Sequence, residues 1–90
     1  MRKNYRFEIL SFLFNCAPSE TDIRPLIDSM VKEEIFSDMY FRILLDAMRT
    51  NDLISYHESG LQIKASLQPE GRKEYNRLKK HCVFYSTKID

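Results

Sequence analysis

The side chains able to do chemistry are few and scattered. His57, His81, Cys16 and Cys82 are the residue types that zinc would use. His81 and Cys82 are adjacent, which hinders joint chelation, and no cysteine pair has C-x2-C spacing. No metal is expected. Asp22, Asp28, Glu33 and Glu34 read as helix-surface and capping acids. There is no glycine-rich phosphate loop, no nucleophile elbow and no pair of acids placed for acid–base work. With two glycines in 90 residues, a substrate pocket of ~300 Å³ is hard to build. The sequence therefore points away from an enzyme and from any cofactor. The run Arg72, Lys73, Arg77, Lys79 and Lys80 reads most simply as a solvated helix face.

Composition sets the frame for these side chains. Ninety residues suit one domain, 1–90, and 43% hydrophobic with 12% aromatic content is enough for a core. Folding buries about 60–65% of the unfolded surface at this size. Two cysteines are too few for a disulfide framework and read as free thiols. Neither a signal peptide nor an apolar run long enough for a bilayer is evident. The expectation is a cytoplasmic, soluble chain without membrane partners.

Apolar spacing predicts a first helix over residues 4–15. Phe7, Leu10 and Phe14 mark one face, and Ile9, Leu13 and Cys16 an adjacent one. The helix is apolar nearly all round and so needs cover on more than one side. A turn spans residues 17–21. A second helix starts between Asp22 and Arg24, because an earlier start would put Pro25 inside it. Leu26, Ile27, Met30 and Val31 form its buried stripe. Residues 33–36 make a turn with Ile35 and Phe36 as plugs. Ser37 caps a third helix, 37–51, with Asp38 in its first turn. Tyr40 or Phe41, then Leu44, Leu45 and Met48, carry its buried stripe. Proline and glycine are absent from residues 26–59, so one long bent helix is the alternative.

A hairpin spans 54–67. A two-residue turn at Ser59-Gly60 pairs Glu58 with Leu61, Tyr56 with Ile63 and Ile54 with Ala65, which puts the paired apolar side chains on one face. A three-residue loop would mix the faces. Ser55, His57, Gln62, Lys64 and Ser66 then face solvent. A fourth helix starts at Pro69, with Gly71, Tyr75, Leu78 and Cys82 on one stripe. Glycine in a first helical turn costs ~1 kcal/mol against alanine, so Gly71 implies a close backbone approach. Residues 83–87 favour extended chain by propensity. Segment 83–90 is therefore expected to be a tail or a dimerisation segment.

Residues 40–80 resemble the winged helix-turn-helix module of small bacterial and phage regulators, including the MarR-like and PadR-like groups. The likeness rests on Leu44/Leu45, Met48, Leu53 and Ile54 at the end of the third helix. It also rests on the phrase Leu67-Gln68-Pro69-Glu70-Gly71-Arg72 leading into the fourth. Gln68 stands where threonine is usual. Asn51-Asp52 stands for the usual glycine, and asparagine tolerates the left-handed conformation needed there. The implied fold is α+β, mostly α: three helices, a two-stranded β-hairpin wing and a C-terminal helix.

The resemblance implies a DNA-binding transcription regulator with double-stranded DNA as partner. Its reading face would be Ser37, Met39, Arg42, Asp46 and Arg49, with His57, Glu58, Ser59, Gln62 and Lys64 on the wing. Arg42 would contact a guanine edge, and Arg49 or Lys64 would hold phosphate. Charge opposes this. Residues 1–15 carry net +2 and residues 61–90 net +4. Residues 16–50 hold four basic and seven acidic side chains, net −3, and residues 51–60 carry net −2. DNA affinity comes largely from neutralised phosphate. Two arrangements would restore it: basic residues of the first and fourth helices converging on Arg42 and Arg49, or a homodimer through the first helix and the C-terminal segment. The alternative is a winged-helix protein–protein interaction module without DNA binding.

Overall fold

The computed structural model describes residues 4–17, 19–33 and 38–89, with residues 33, 38 and 81–89 described in backbone only. The order is α1 (Tyr5–Cys16), β1 (Thr21–Asp22), α2 (Arg24–Glu33), α3 (Asp38–Thr50), β2 (Ile54–Ser59), β3 (Gln62–Leu67) and α4 (Pro69–Ile89). Among the described residues this is an α+β fold, mostly helical, with an antiparallel sheet in the order β1-β3-β2.

α1 begins where Asn4 Oδ1 accepts the Phe7 amide at 3.0 Å, an N-cap that satisfies one of the orphan donors of a first turn. Tyr5, Ile9, Leu10 and Leu13 are buried, and Phe7, Phe12 and Phe14 pack against the same core. Tyr75 of α4 stacks on Phe7 at 5.5 Å and on Phe14 at 4.5 Å. Tyr5 meets Phe41 of α3 edge to face at 5.4 Å. The cover that the all-round apolar surface of α1 requires is thus provided within the chain.

The turn expected over 17–21 ends in a strand. β1 pairs with β3, Thr21 opposite Ala65 and Asp22 opposite Lys64. The reason lies in one carboxylate oxygen. Asp22 Oδ1 accepts the amide of Arg24 and that of Ile63, both at 3.0 Å. The first bond caps α2, whose first turn tolerates Pro25, and the second ties that cap to the sheet. Asp22→Ala is expected to cost about 1–3 kcal/mol, with Asp22→Asn recovering much of it through the remaining oxygen. Urea unfolding of the two variants measures both.

α2 ends its described part at Glu33 and α3 begins at Asp38, so the junction that would separate two helices from one bent helix lies outside the described residues. Residues 34–37, including the expected plugs Ile35 and Phe36 and the expected cap Ser37, lie outside the described residues. On α3 the buried stripe is Phe41, Leu45 and Met48. Leu44 is half-buried against the core, and Tyr40 is exposed.

α3 closes in a Schellman motif. The Leu53 amide donates to Met48 O at 2.9 Å and the Asp52 amide to Arg49 O at 3.0 Å. The left-handed residue is Asp52, at φ 61°, rather than Asn51. Asn51 instead turns its side-chain amide back onto Ala47 O at 2.8 Å. Buried Leu53 and Met48 supply the apolar contact usual in this motif.

The hairpin departs from the expected register by two residues. Ser59 pairs with Gln62, Glu58 with Ile63, Tyr56 with Ala65 and Ile54 with Leu67. The turn is therefore Gly60-Leu61, not Ser59-Gly60. Gly60 takes φ 62° at the first central position, where a type II′ turn places glycine. A slip of two preserves the faces. Ile54, Ile63 and Ala65 remain buried, while His57 and Gln62 remain outside. Leu61 is left at the tip, 87% exposed.

Gly71 sits as its position in the sequence implies. A Cβ there would lie 1.9 Å from Leu53 O. Tyr75 and Leu78 follow on the buried stripe. The extended tail expected over 83–87 is instead helix, since α4 continues to Ile89. Extending an existing helix adds one hydrogen bond per residue fixed. The strand preference of Val-Phe-Tyr spans only ~1 kcal/mol and depends on a neighbouring strand.

Candidate interaction face on α3 and the hairpin

The residues singled out on α3 and the hairpin fall into two groups. Met39, Arg42 and Arg49 lie on the exposed side of α3. His57, Gln62 and Lys64 lie on the outer face of the hairpin, with Lys64 half-buried beside β1. Ser37 is outside the described residues.

Both arginines of α3 are held by the chain's own acids. Arg42 Nη1 lies 2.6 Å from Glu58 Oε1, a contact that bridges α3 to β2. Glu58 shares a face with Ile54 and Tyr56 because the strand period is two. Arg49 Nη2 donates to Asp46 Oδ1 at 2.9 Å, one helical turn earlier. Its guanidinium carbon lies 4.3 Å from the centre of the Tyr56 ring, within cation–π range. Its Nη1 reaches the Tyr56 carbonyl at 3.4 Å. Tyr56 closes the cluster by donating its hydroxyl to Asp46. Burial, and then the bond to Asp46, push the Tyr56 hydroxyl above its ordinary pKa, so it serves as a neutral donor. On the other side of the hairpin, His57 Nδ1 lies 3.6 Å from Glu20 Oε2.

The most exposed large apolar side chains of α3 are Met39 and Ile43, each 62% exposed, with Tyr40 at 40% beside them. Ala47 is exposed and continues the line. Met39, Ile43 and Ala47 are spaced by four, so they form one row on the helix surface. Ile43 has no place in a charge-led or base-reading assignment. Its signal in the sequence is being apolar yet out of phase with Phe41, Leu45 and Met48.

The basic residues of α4 are largely engaged locally. Lys73 pairs with Glu70 at 3.3 Å, and Arg77 pairs with Glu74 at 2.8 Å. Arg6 of α1 approaches the same Glu74 at 3.7 Å. The hydrogen bond from Arg77 holds the Glu74 carboxyl below its usual pKa, and Arg6 adds to that. Arg72 lies over the Phe14 ring at 5.2 Å and Lys79 over Tyr75 at 5.8 Å. These contacts tie Arg72, Lys73, Arg77 and Lys79 to α1 and to α4 itself. Among the described residues no cluster of His, Cys, Asp or Glu could hold a metal ion, and no helix is long and apolar enough to cross a membrane.

The fold class is thus a small α+β domain whose most distinctive surface is an apolar row on α3 beside two closed ion pairs. No family model, no curated protein and no solved structure matches the chain.

Proposed function

We propose that the chain is a winged-helix module whose α3 and hairpin face docks on protein rather than on DNA. The order helix, short strand, two helices, hairpin, helix supports the winged-helix assignment. So does the pairing of the short strand with the second hairpin strand. The placement of Leu53-Ile54 and of the Pro69-Glu70-Gly71 phrase also fits.

The observation that carries the protein-docking reading is the state of the α3 cations. Arg42 and Arg49 are each paired with an acid of this same face, and the row between them and Tyr40 is apolar. From residue 38 to residue 67 there are three basic and four acidic side chains, net −1. Exposed ion pairs are worth only ~0–1 kcal/mol, so an arginine could be drawn away. Glu58 and Asp46 would stay behind and repel phosphate at close range. A DNA-binding face commonly makes about 6–10 phosphate contacts, and this face holds too few free cations for that.

A random-sequence duplex titrated at low and at moderate salt tests the reading by gel shift. No shift is expected at either salt. A shift that weakens steeply with salt, and loses sequence preference in Arg42→Ala, would restore the regulator role that the resemblance implies.

A further inference from the structure

The geometry points to a second copy of this chain as the partner of α3: two α3 helices packing antiparallel about a two-fold axis through Ile43. The inference rests on the protein-docking reading above and names the occupant of that face.

Three observations lead to it. The first is the row itself. Met39, Ile43 and Ala47 recur every four residues and are all exposed. An i, i+4 row is the ridge by which helices most often pack on one another.

The second is size. A two-fold axis at Ile43 places Met39 of one copy opposite Ala47 of the other, and the reverse. A long flexible side chain then faces a methyl group at both ends, and the two Ile43 side chains meet between them. Alternation of large and small residues across a contact is what lets helices interdigitate, and an isologous interface requires that the same patch complement itself.

The third is charge. The flanking groups Arg42 with Glu58, and Arg49 with Asp46, close into pairs within one chain. Among the described side chains these pairs leave no unbalanced cation or anion beside the row, so two identical faces approach without repulsion from them. A strongly acidic or basic partner would gain nothing from such a border, whereas a copy of the same neutral face fits it. The α1 surface, by contrast, is already occupied by α4, the sheet and Phe41.

A single helix pair belongs with the small interfaces, below about 1,200 Å² in total, that characterise weak association. A dissociation constant on the order of 100 μM is expected. Sedimentation equilibrium of the full chain under reducing conditions, from 10 μM to 1 mM by design, reads it. Ile43→Glu should keep the mass monomeric throughout. Met39→Ala and Ala47→Met should each weaken association several-fold, the first by leaving a gap and the second by setting methionine against methionine. The double variant Met39→Ala with Ala47→Met should restore it, because it exchanges large and small about the same axis. All three sites are exposed on a helix, and an unchanged circular dichroism melt confirms that the variants fold.

A wild-type chain that stays monomeric to the highest concentration overturns the inference. So does a dimer indifferent to Ile43→Glu, which would belong to another surface such as α1 with the C-terminal segment. A double variant no better than the singles overturns the register. A monomer that also ignores duplex DNA leaves the protein-docking reading standing without the self-pairing. Binding of DNA through Arg42 removes both.

Discussion

Gly71→Ala is expected to destabilise the domain by about 3 kcal/mol or more. On an ordinary exposed helical position the same change would stabilise by up to ~1 kcal/mol, so even the sign of the result is informative. The alanine methyl would sit 1.9 Å from Leu53 O and 2.8 Å from both Leu53 C and Leu67 Cδ1. The leucine side chain can move. The Leu53 backbone is held from both sides, because its amide closes α3 on Met48 O and its carbonyl accepts the Gln68 amide at 3.0 Å. Yielding space to a methyl therefore means opening the end of α3 or the start of α4. Thermal unfolding should show a midpoint lower by roughly 12 °C or more. An unchanged or higher midpoint would mean that α4 does not meet α3 through Leu53.

Phe41→Ala is the second large effect, expected at about 3–5 kcal/mol. Phe41 is 1% exposed and is the largest fully buried side chain among the described residues. Its ring meets Tyr5 and Tyr40 edge to face, at 5.4 and 5.1 Å, so its loss removes one of the contacts between α3 and α1 as well as leaving a cavity. Leu44, one turn on and half-buried, should cost less, about 1–2 kcal/mol, because solvent already reaches part of it. Urea unfolding with an unchanged slope gives both values. Equal losses at the two positions would place the buried stripe of α3 midway between them rather than on Phe41, Leu45 and Met48.

Much of this fold is legible in the sequence where a single residue has only one comfortable conformation. Pro25 marks the first turn of α2, Pro69 the start of α4, and Gly71 a contact too close for any side chain. Phe41, Leu45 and Met48 carry the phase of α3. Legibility fails where two arrangements satisfy the same pattern. Shifting the hairpin by two residues leaves every side chain on its original face, so alternation cannot separate a turn at Ser59-Gly60 from one at Gly60-Leu61. β1 is only two residues long and has no periodicity to detect. It exists because Asp22 bonds Ile63, 41 residues further along the chain.

The interaction face is less legible for a related reason. Arg42 and Arg49 are plain in the sequence, but the acids that occupy them are set by different rules. Asp46 is a local i, i+3 neighbour of Arg49. Glu58 reaches Arg42 only because β2 returns alongside α3. The tail illustrates the reverse case, in which local propensity for strand yields to the extension of an existing helix.

The most direct measurement of the central claim is a residue-resolved amide NMR titration of the chain with a random duplex at low salt. The self-neutralised face predicts that the signals of residues 39–49 and 54–67 stay in place as DNA is added, while the same α3 signals move on raising the protein concentration alone. Salt-sensitive movement of Arg42, Arg49 and Lys64 amides on adding duplex would contradict it, for it would mean that Glu58 and Asp46 yield those arginines to phosphate.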